Sequence, residues 1–156
     1  MDTSDALLRE TADKLAIMEM KAAYCRFSDH LDLDGLLTVF TRDCEFQFDP
    51  DDEVIVGLDA IRKWYPGEID RTVASLHMVS NFEIEFVDED HARSVCALHS
   101  WKRFIDQPED RHRYVHYRDE WVRTPDGWRQ SKLTYYVIGE TGTEAPRGLE
   151  HMGNNR

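Results

Sequence analysis

From Thr72 onward the chain reads as four long strands, 72–87, 91–105, 112–123 and 128–138, broken only by the turn signals VDED, DQPED and TPDG. Connections this short join antiparallel neighbours, so the second half is expected to be an antiparallel meander. The first half is mainly helical. Residues 4–28 have helical periodicity with Ser4 or Asp5 as N-cap, and a second short helix is expected over 33–41. In LDAIRKWY, Leu58, Ile61, Trp64 and Tyr65 recur at helical spacing until Pro66 and Gly67 stop the helix. Between these helices, DCEFQFD at 43–49 alternates like a half-buried strand and turns through PDDE into Val54, Ile55 and Val56, a hairpin. Such an order describes an α+β domain, with three helices packed on one face of a strongly curved, largely antiparallel sheet that can enclose a cavity.

The 156 residues fit one domain, expected over 1–139, large enough to keep a pocket inside its core. The segment 140–156 (ETGTEAPRGLEHMGNNR) has no periodicity and is expected to be a flexible or surface-docked tail. Nineteen basic against thirty-one acidic residues give a formal charge of -12, which opposes binding to nucleic acid and to acidic membrane surfaces. The acidic N-terminus lacks the basic-then-apolar order of a signal peptide, and no apolar run approaches a membrane span, so a cytoplasmic protein is expected. Cys25, Cys44 and Cys96 are an odd set without CxxC spacing, each inside an apolar pattern, which points to buried free thiols. No Gly-rich phosphate loop or cofactor motif occurs, and neither cofactor nor metal is expected. HLDLDG resembles part of a calcium loop, but Thr41 stands where a bidentate Glu is needed.

The chemistry is carried by Asp29. It continues a helical row of Leu15, Met18, Ala22 and Cys25, where a hydrophobe is expected. A buried carboxylate is costly unless hydrogen-bonded, so Asp29 needs a partner, and His77 at the start of LHMVSNFEIEF is the best candidate. Phe82, Ile84 and Phe86 share one strand face, and His77 has the opposite parity. It turns inward only if the strand bulges, around Ser80 and Asn81. If the two meet, Asp29 fixes the imidazole tautomer and His77 becomes a general base, while Tyr24, about 140° around the helix from Asp29, can donate a hydrogen bond to a charged or leaving oxygen across a broad pocket. From residue types alone Asp29 and His77 read more readily as a structural pair, and Tyr24 as plain packing. Phe48, Trp64, Met78, Trp101 and Tyr117 are candidate substrate contacts for a ring-sized ligand, though each is also a candidate core residue. Arg113, Arg118 and Arg123 read as a solvated face or a subunit contact.

The segments IMEMKAAYCRFSDHLDLDGLLTVFTRDCEFQFD, GLDAIRKWY, LHMVSNFEIEF and YRDEWVRTPDGWR, taken in order, resemble the SnoaL-like branch of the nuclear-transport-factor-2-like superfamily, over about Ala16 to Tyr136. The resemblance implies a cone-shaped α+β barrel and, in the most similar families, a homo-oligomer, dimer or trimer. Scytalone dehydratase, bile acid 7α-dehydratase and hexachlorocyclohexane dehydrochlorinase pair an Asp at the end of the first helix with a His on the strand after the third, and Asp29 and His77 fall on those positions. The Tyr five residues before the Asp matches the bile acid enzyme, which implies the hydrogen-bonding role for Tyr24. His99 stands in the region of a second scytalone dehydratase histidine, implying a substrate contact or an accessory acid. The chain departs from ketosteroid isomerases at Phe48, where those keep a catalytic base unless Asp49 shifts register, and from the dehydrochlorinase at Ser131, where a basic residue is expected. What the resemblance implies is a cofactor-independent dehydratase or isomerase using Asp-His acid/base chemistry on a hydrophobic cyclic polyketide, steroid or terpenoid. The alternatives are a polyketide cyclase, an epoxide hydrolase, and a non-catalytic binding or assembly domain, because one fold hosts many functions.

Overall fold

In a computed structural model describing residues 3–48 and 52–141, helix α1 (Thr3–Asp29) leads through a tight corner into α2 (Leu33–Leu37). Leu31 turns the corner with φ 57°, and the Asp32 carboxylate accepts the Gly35 N–H at 2.9 Å, so part of HLDLDG is a helix cap. Gly35 is favoured there, since a Cβ would run into the Phe27 ring. Helix α2 is shorter than the expected 33–41, because the chain leaves it to enter strand β1 (Phe40–Gln47). Strand β2 (Ile55–Val56) pairs antiparallel with β1, as the hairpin reading requires. Helix α3 (Leu58–Trp64) follows, and Pro66 starts a further turn, α4 (Pro66–Ile69), because the missing N–H of proline costs nothing in a first helical turn.

Strands β3 (Thr72–Phe86), β4 (His91–Phe104), β5 (Arg111–Thr124) and β6 (Gly127–Glu140) form the expected antiparallel meander. The sheet order is β2-β1-β6-β5-β4-β3, and β1 joins β6 in parallel. The concave face carries the core: Phe46, Cys96, Leu98, Tyr117 and Leu133 meet Leu36 and Ile61 of the helices. The expected tail starts at the last residue of β6, and 142–156, like Asp49, lie outside the described residues. All three cysteines are buried and free, and burial pushes the thiols of Cys25 and Cys44 up to about 11 and that of Cys96 to about 12, which leaves them inert. No described helix is long and apolar enough to cross a membrane.

The buried face of α1 differs from the expected row. Ile17, Lys21, Tyr24, Cys25 and Ser28 face the sheet, whereas Leu15, Met18 and Ala22 are exposed. The reason is a cation in the core. Lys21 Nζ lies 2.9 Å from Asp119 Oδ2 of β5, both side chains fully sealed, and sits 3.4 Å from the Tyr117 ring centre. A lysine in the middle of the inner row shifts the apparent apolar stripe to the wrong side. Burial outweighs the attraction of Lys21 and holds the Asp119 carboxyl above the usual range. Removing one member of such a pair leaves an uncompensated polar group in the core, which typically costs about 3–5 kcal/mol, whereas an apolar replacement of both is often neutral. Lys21→Met should therefore lose stability of that order in urea denaturation, and Lys21→Met with Asp119→Leu should recover most of it.

Candidate active site

Asp29 is the last residue of α1, at the negative end of the helix dipole, where a carboxylate is disfavoured. Donors from β3 compensate. The Ser75 hydroxyl donates to Oδ1 at 3.0 Å, the His77 backbone N–H to Oδ2 at 3.0 Å, and His77 Nδ1 lies 2.6 Å from Oδ1. Only 14% of the Asp29 side chain and 7% of the His77 side chain is exposed. Burial would raise the Asp29 carboxyl, but the bonds from His77 and Ser75 outweigh it and hold Asp29 below the usual carboxylate range. Asp29 is therefore ionised and Nδ1 carries the proton, which leaves Nε2 as the basic nitrogen of a ring that lines the cavity. Burial pushes His77 below its ordinary 6.5, helped by Lys102 and Lys21 and opposed by Asp29, so the ring is neutral at pH 7.

The inward turn of His77 depends on a bulge. Pairing of β3 with β4 runs in step from Ala74 to Ser80, then slips by one residue before Glu83, with Asn81 at φ 56°. Asparagine tolerates that left-handed conformation better than most residues. The slip lets His77 and Val79 share the inner face with Phe82, Ile84 and Phe86 despite their opposite parity.

His77 opens onto a cavity of about 210 Å³. Its aromatic wall is built from Phe48, Trp64, Tyr135 and Tyr117, with Phe48 4.7 Å from Trp64 and 5.7 Å from Tyr135 between ring centres. Tyr24 meets the His77 ring edge-on at 6.4 Å and Tyr117 at 6.0 Å, and burial holds its phenol well above the ordinary range. Ser28 Oγ and the Tyr65 hydroxyl are 3.1 Å apart on the same wall.

The opposite wall is charged. Across the sheet, His77 pairs with Ser100, Ser100 with Arg113, and Arg113 with Glu140; the next inward row is Ser75, Lys102 and Arg111. Arg113 Nε donates to Glu140 at 2.8 Å. Arg113, Arg118 and Arg123 therefore do not share one solvated face: Arg113 lines the cavity, Arg118 lies over the Tyr136 ring and Arg123 pairs with Asp13. The overlooked signal was parity, since Arg111 and Arg113 alternate in step with the inward Val115 and Tyr117, as Lys102 does with Leu98 and Ser100.

Among the expected substrate contacts, Phe48, Trp64 and Tyr117 line this cavity, whereas Met78, His99 and Trp101 project from the outer face of the sheet. Each is one residue from an inward neighbour, His77 or Ser100, and a strand reverses its side chains at every step. On that face His99 stacks on Tyr114 at 4.8 Å with its Nε2 3.0 Å from His112 Nδ1, and the Trp101 indole donates to Asp110 at 2.9 Å. Ser131 is the residue skipped where the pairing of β5 with β6 slips.

An uncharacterised protein of Mycobacterium tuberculosis, Rv2910c, is 29% identical over 134 residues, spanning 83% of this chain and 88% of its own. Among solved structures, a protein described as a scytalone dehydratase from Novosphingobium aromaticivorans superposes with a TM-score of 0.82 at 23% identity, covering 90% of this chain and 95% of its own. Hexachlorocyclohexane dehydrochlorinase LinA-type3 from Novosphingobium barchaimii gives 0.78 at 17%, covering 88% and 94%. These likenesses agree with the α+β cone, and the SnoaL-like domain model matches residues 9–134. The chain belongs to the SnoaL-like domain family.

Proposed function

We propose that the protein is a cofactor-independent lyase of the dehydratase type, with isomerisation through the same proton abstraction as the nearest variant, acting on a small cyclic molecule. The observation that carries this reading is the 2.6 Å contact between Asp29 and the Nδ1 of a neutral histidine that lines a ring-sized cavity. An apolar cavity of ~150 Å³ holds benzene, so about 210 Å³ suits one ring with substituents. The names of the structural neighbours, a dehydratase and a dehydrochlorinase, support elimination as the reaction class.

In this reading His77 Nε2 takes the proton from the carbon next to a carbonyl, and the electron pair left behind forms the enolate. That pair then closes the new C=C bond as the β-hydroxyl departs. The His77 imidazolium, stabilised by Asp29, returns its proton to the departing oxygen, so water leaves and the base is regenerated. Tyr24 donates a hydrogen bond to the carbonyl or leaving oxygen without ionising, because its raised pKa makes a phenolate unfavourable. Asp29 is a poor nucleophile in this setting, since both its oxygens already accept hydrogen bonds, which weighs against epoxide opening by direct attack.

Incubation with cyclic β-hydroxy ketones in D₂O, followed by NMR for loss of water and for deuterium entry next to the carbonyl, reads both steps. Asp29→Asn and His77→Ala should each slow them by roughly a hundred- to ten-thousand-fold with circular dichroism unchanged. Equal rates in the variants sink the dyad, and binding of the rings without exchange or conversion favours a non-catalytic binding domain. The His77 resonances should titrate with a midpoint below 6.5, so activity should rise as pH climbs through that midpoint and level off above it. Asp29→Asn removes an influence that raises His77, so its midpoint should fall further.

A further inference from the structure

Three cations converge where the cavity meets β4 and β5. Lys102 and Arg111 are direct cross-strand partners on the inner face, and Arg113 lies two residues along from Arg111. Like charges placed opposite one another weaken a sheet, and half-burial strengthens their repulsion. The carboxylates nearby, Glu68 of the cavity lining among them, offset this only in part. Glu140 bonds Arg113 at 2.8 Å but stands 3.7 Å from Arg111, and Glu68 of α4 stands 3.9 Å from Lys102, both too far for a hydrogen bond. Asp52 also lines the cavity but is exposed, where water screens it, and Asp29 already accepts its bonds from Ser75 and His77. Burial, opposed by Glu68 and helped by the neighbouring arginines, holds the Lys102 ammonium down to about 8, and burial with Arg113 lowers Arg111 against the pull of Glu140 and Glu68.

Building on the function proposed above, we infer that Lys102 and Arg111, with Arg113 behind them, form a subsite for a carboxylate carried by the cyclic substrate. A planar pair of oxygens can take the spare donors of Arg111 and the Lys102 ammonium, while the ring lies on Phe48 and Trp64 with its reacting carbon toward His77. The substrate is thus an acid, recognised by its charge at one wall and its ring at the other.

The test is equilibrium binding by calorimetry of oxocyclohexanecarboxylate and its neutral carboxamide, with sodium acetate and inorganic phosphate as ring-free anions. The wild-type protein should bind the acid about tenfold or more tightly than the amide, a difference of ~1.4 kcal/mol. Lys102→Gln and Arg111→Gln should each shrink that preference while leaving the affinity for the amide nearly unchanged. Equal binding of acid and amide by the wild type overturns the subsite without any variant having to fold, as does a preference undiminished in both variants. Acetate or phosphate binding as tightly as the ring acid also overturns it, in favour of a free-anion site. The preference should persist in His77→Ala, so the subsite stands or falls separately from deuterium exchange.

Discussion

The junction of α1 with β3 rests on one carboxylate. Asp29 ends the helix at its negative pole and is stabilised there by a hydroxyl, a backbone N–H and an imidazole, all from a single three-residue stretch of strand. The same bonds clamp the helix end to the sheet and fix the imidazole tautomer, so structural cost and chemical poise are one quantity. Behind this junction, Lys21 and the phenols of Tyr24 and Tyr117 fill the space between helix and sheet. The dyad is thereby held on rigid elements and not on a loop, a placement suited to precise proton transfer.

The cavity is two-sided. Aromatic rings from α3, β5, β6 and the residue that follows β1 face charged side chains of β4 and β5, and the boundary passes close to His77. An imidazole at the border of an aromatic and a cationic wall faces a cavity whose two sides favour different chemical groups, so the walls can orient whatever enters. The charged wall also shapes the base itself, since Lys102 disfavours the imidazolium that Asp29 favours.

Much of this was legible in the sequence because local periodicities carry it. The strand boundaries of β3 to β6 came out to within a few residues from alternation and turn signals, and the parity conflict between His77 and Phe82 required the slip found at Asn81. What was not legible needed information from distant parts of the chain. The parallel pairing of β1 with β6 leaves no local trace. The true inner row of α1 was hidden because Lys21 looks like a surface residue until Asp119 is placed against it. Arg113 was hidden for the same reason, and Lys102 and Arg111 beside it drew no expectation: charge usually reports solvent, and only the alternation along β4 and β5 shows these side chains turned inward. Met78 and Trp101 were candidates by size and His99 by resemblance, and the pleat placed them on the other face.

The slip at Asn81 divides β3 into two stretches with independent facing. Phe82, Ile84 and Phe86 pack the core whether or not the bulge is kept in step with His77, and His77 faces inward only while it is. Gain or loss of one residue between them would turn His77 out to solvent and leave the hydrophobic half of the strand seated. The facing of His77 is thus set separately from the packing of the hydrophobic half of the strand, and a single insertion or deletion would change the cavity and release the clamp on Asp29 while leaving Phe82, Ile84 and Phe86 seated.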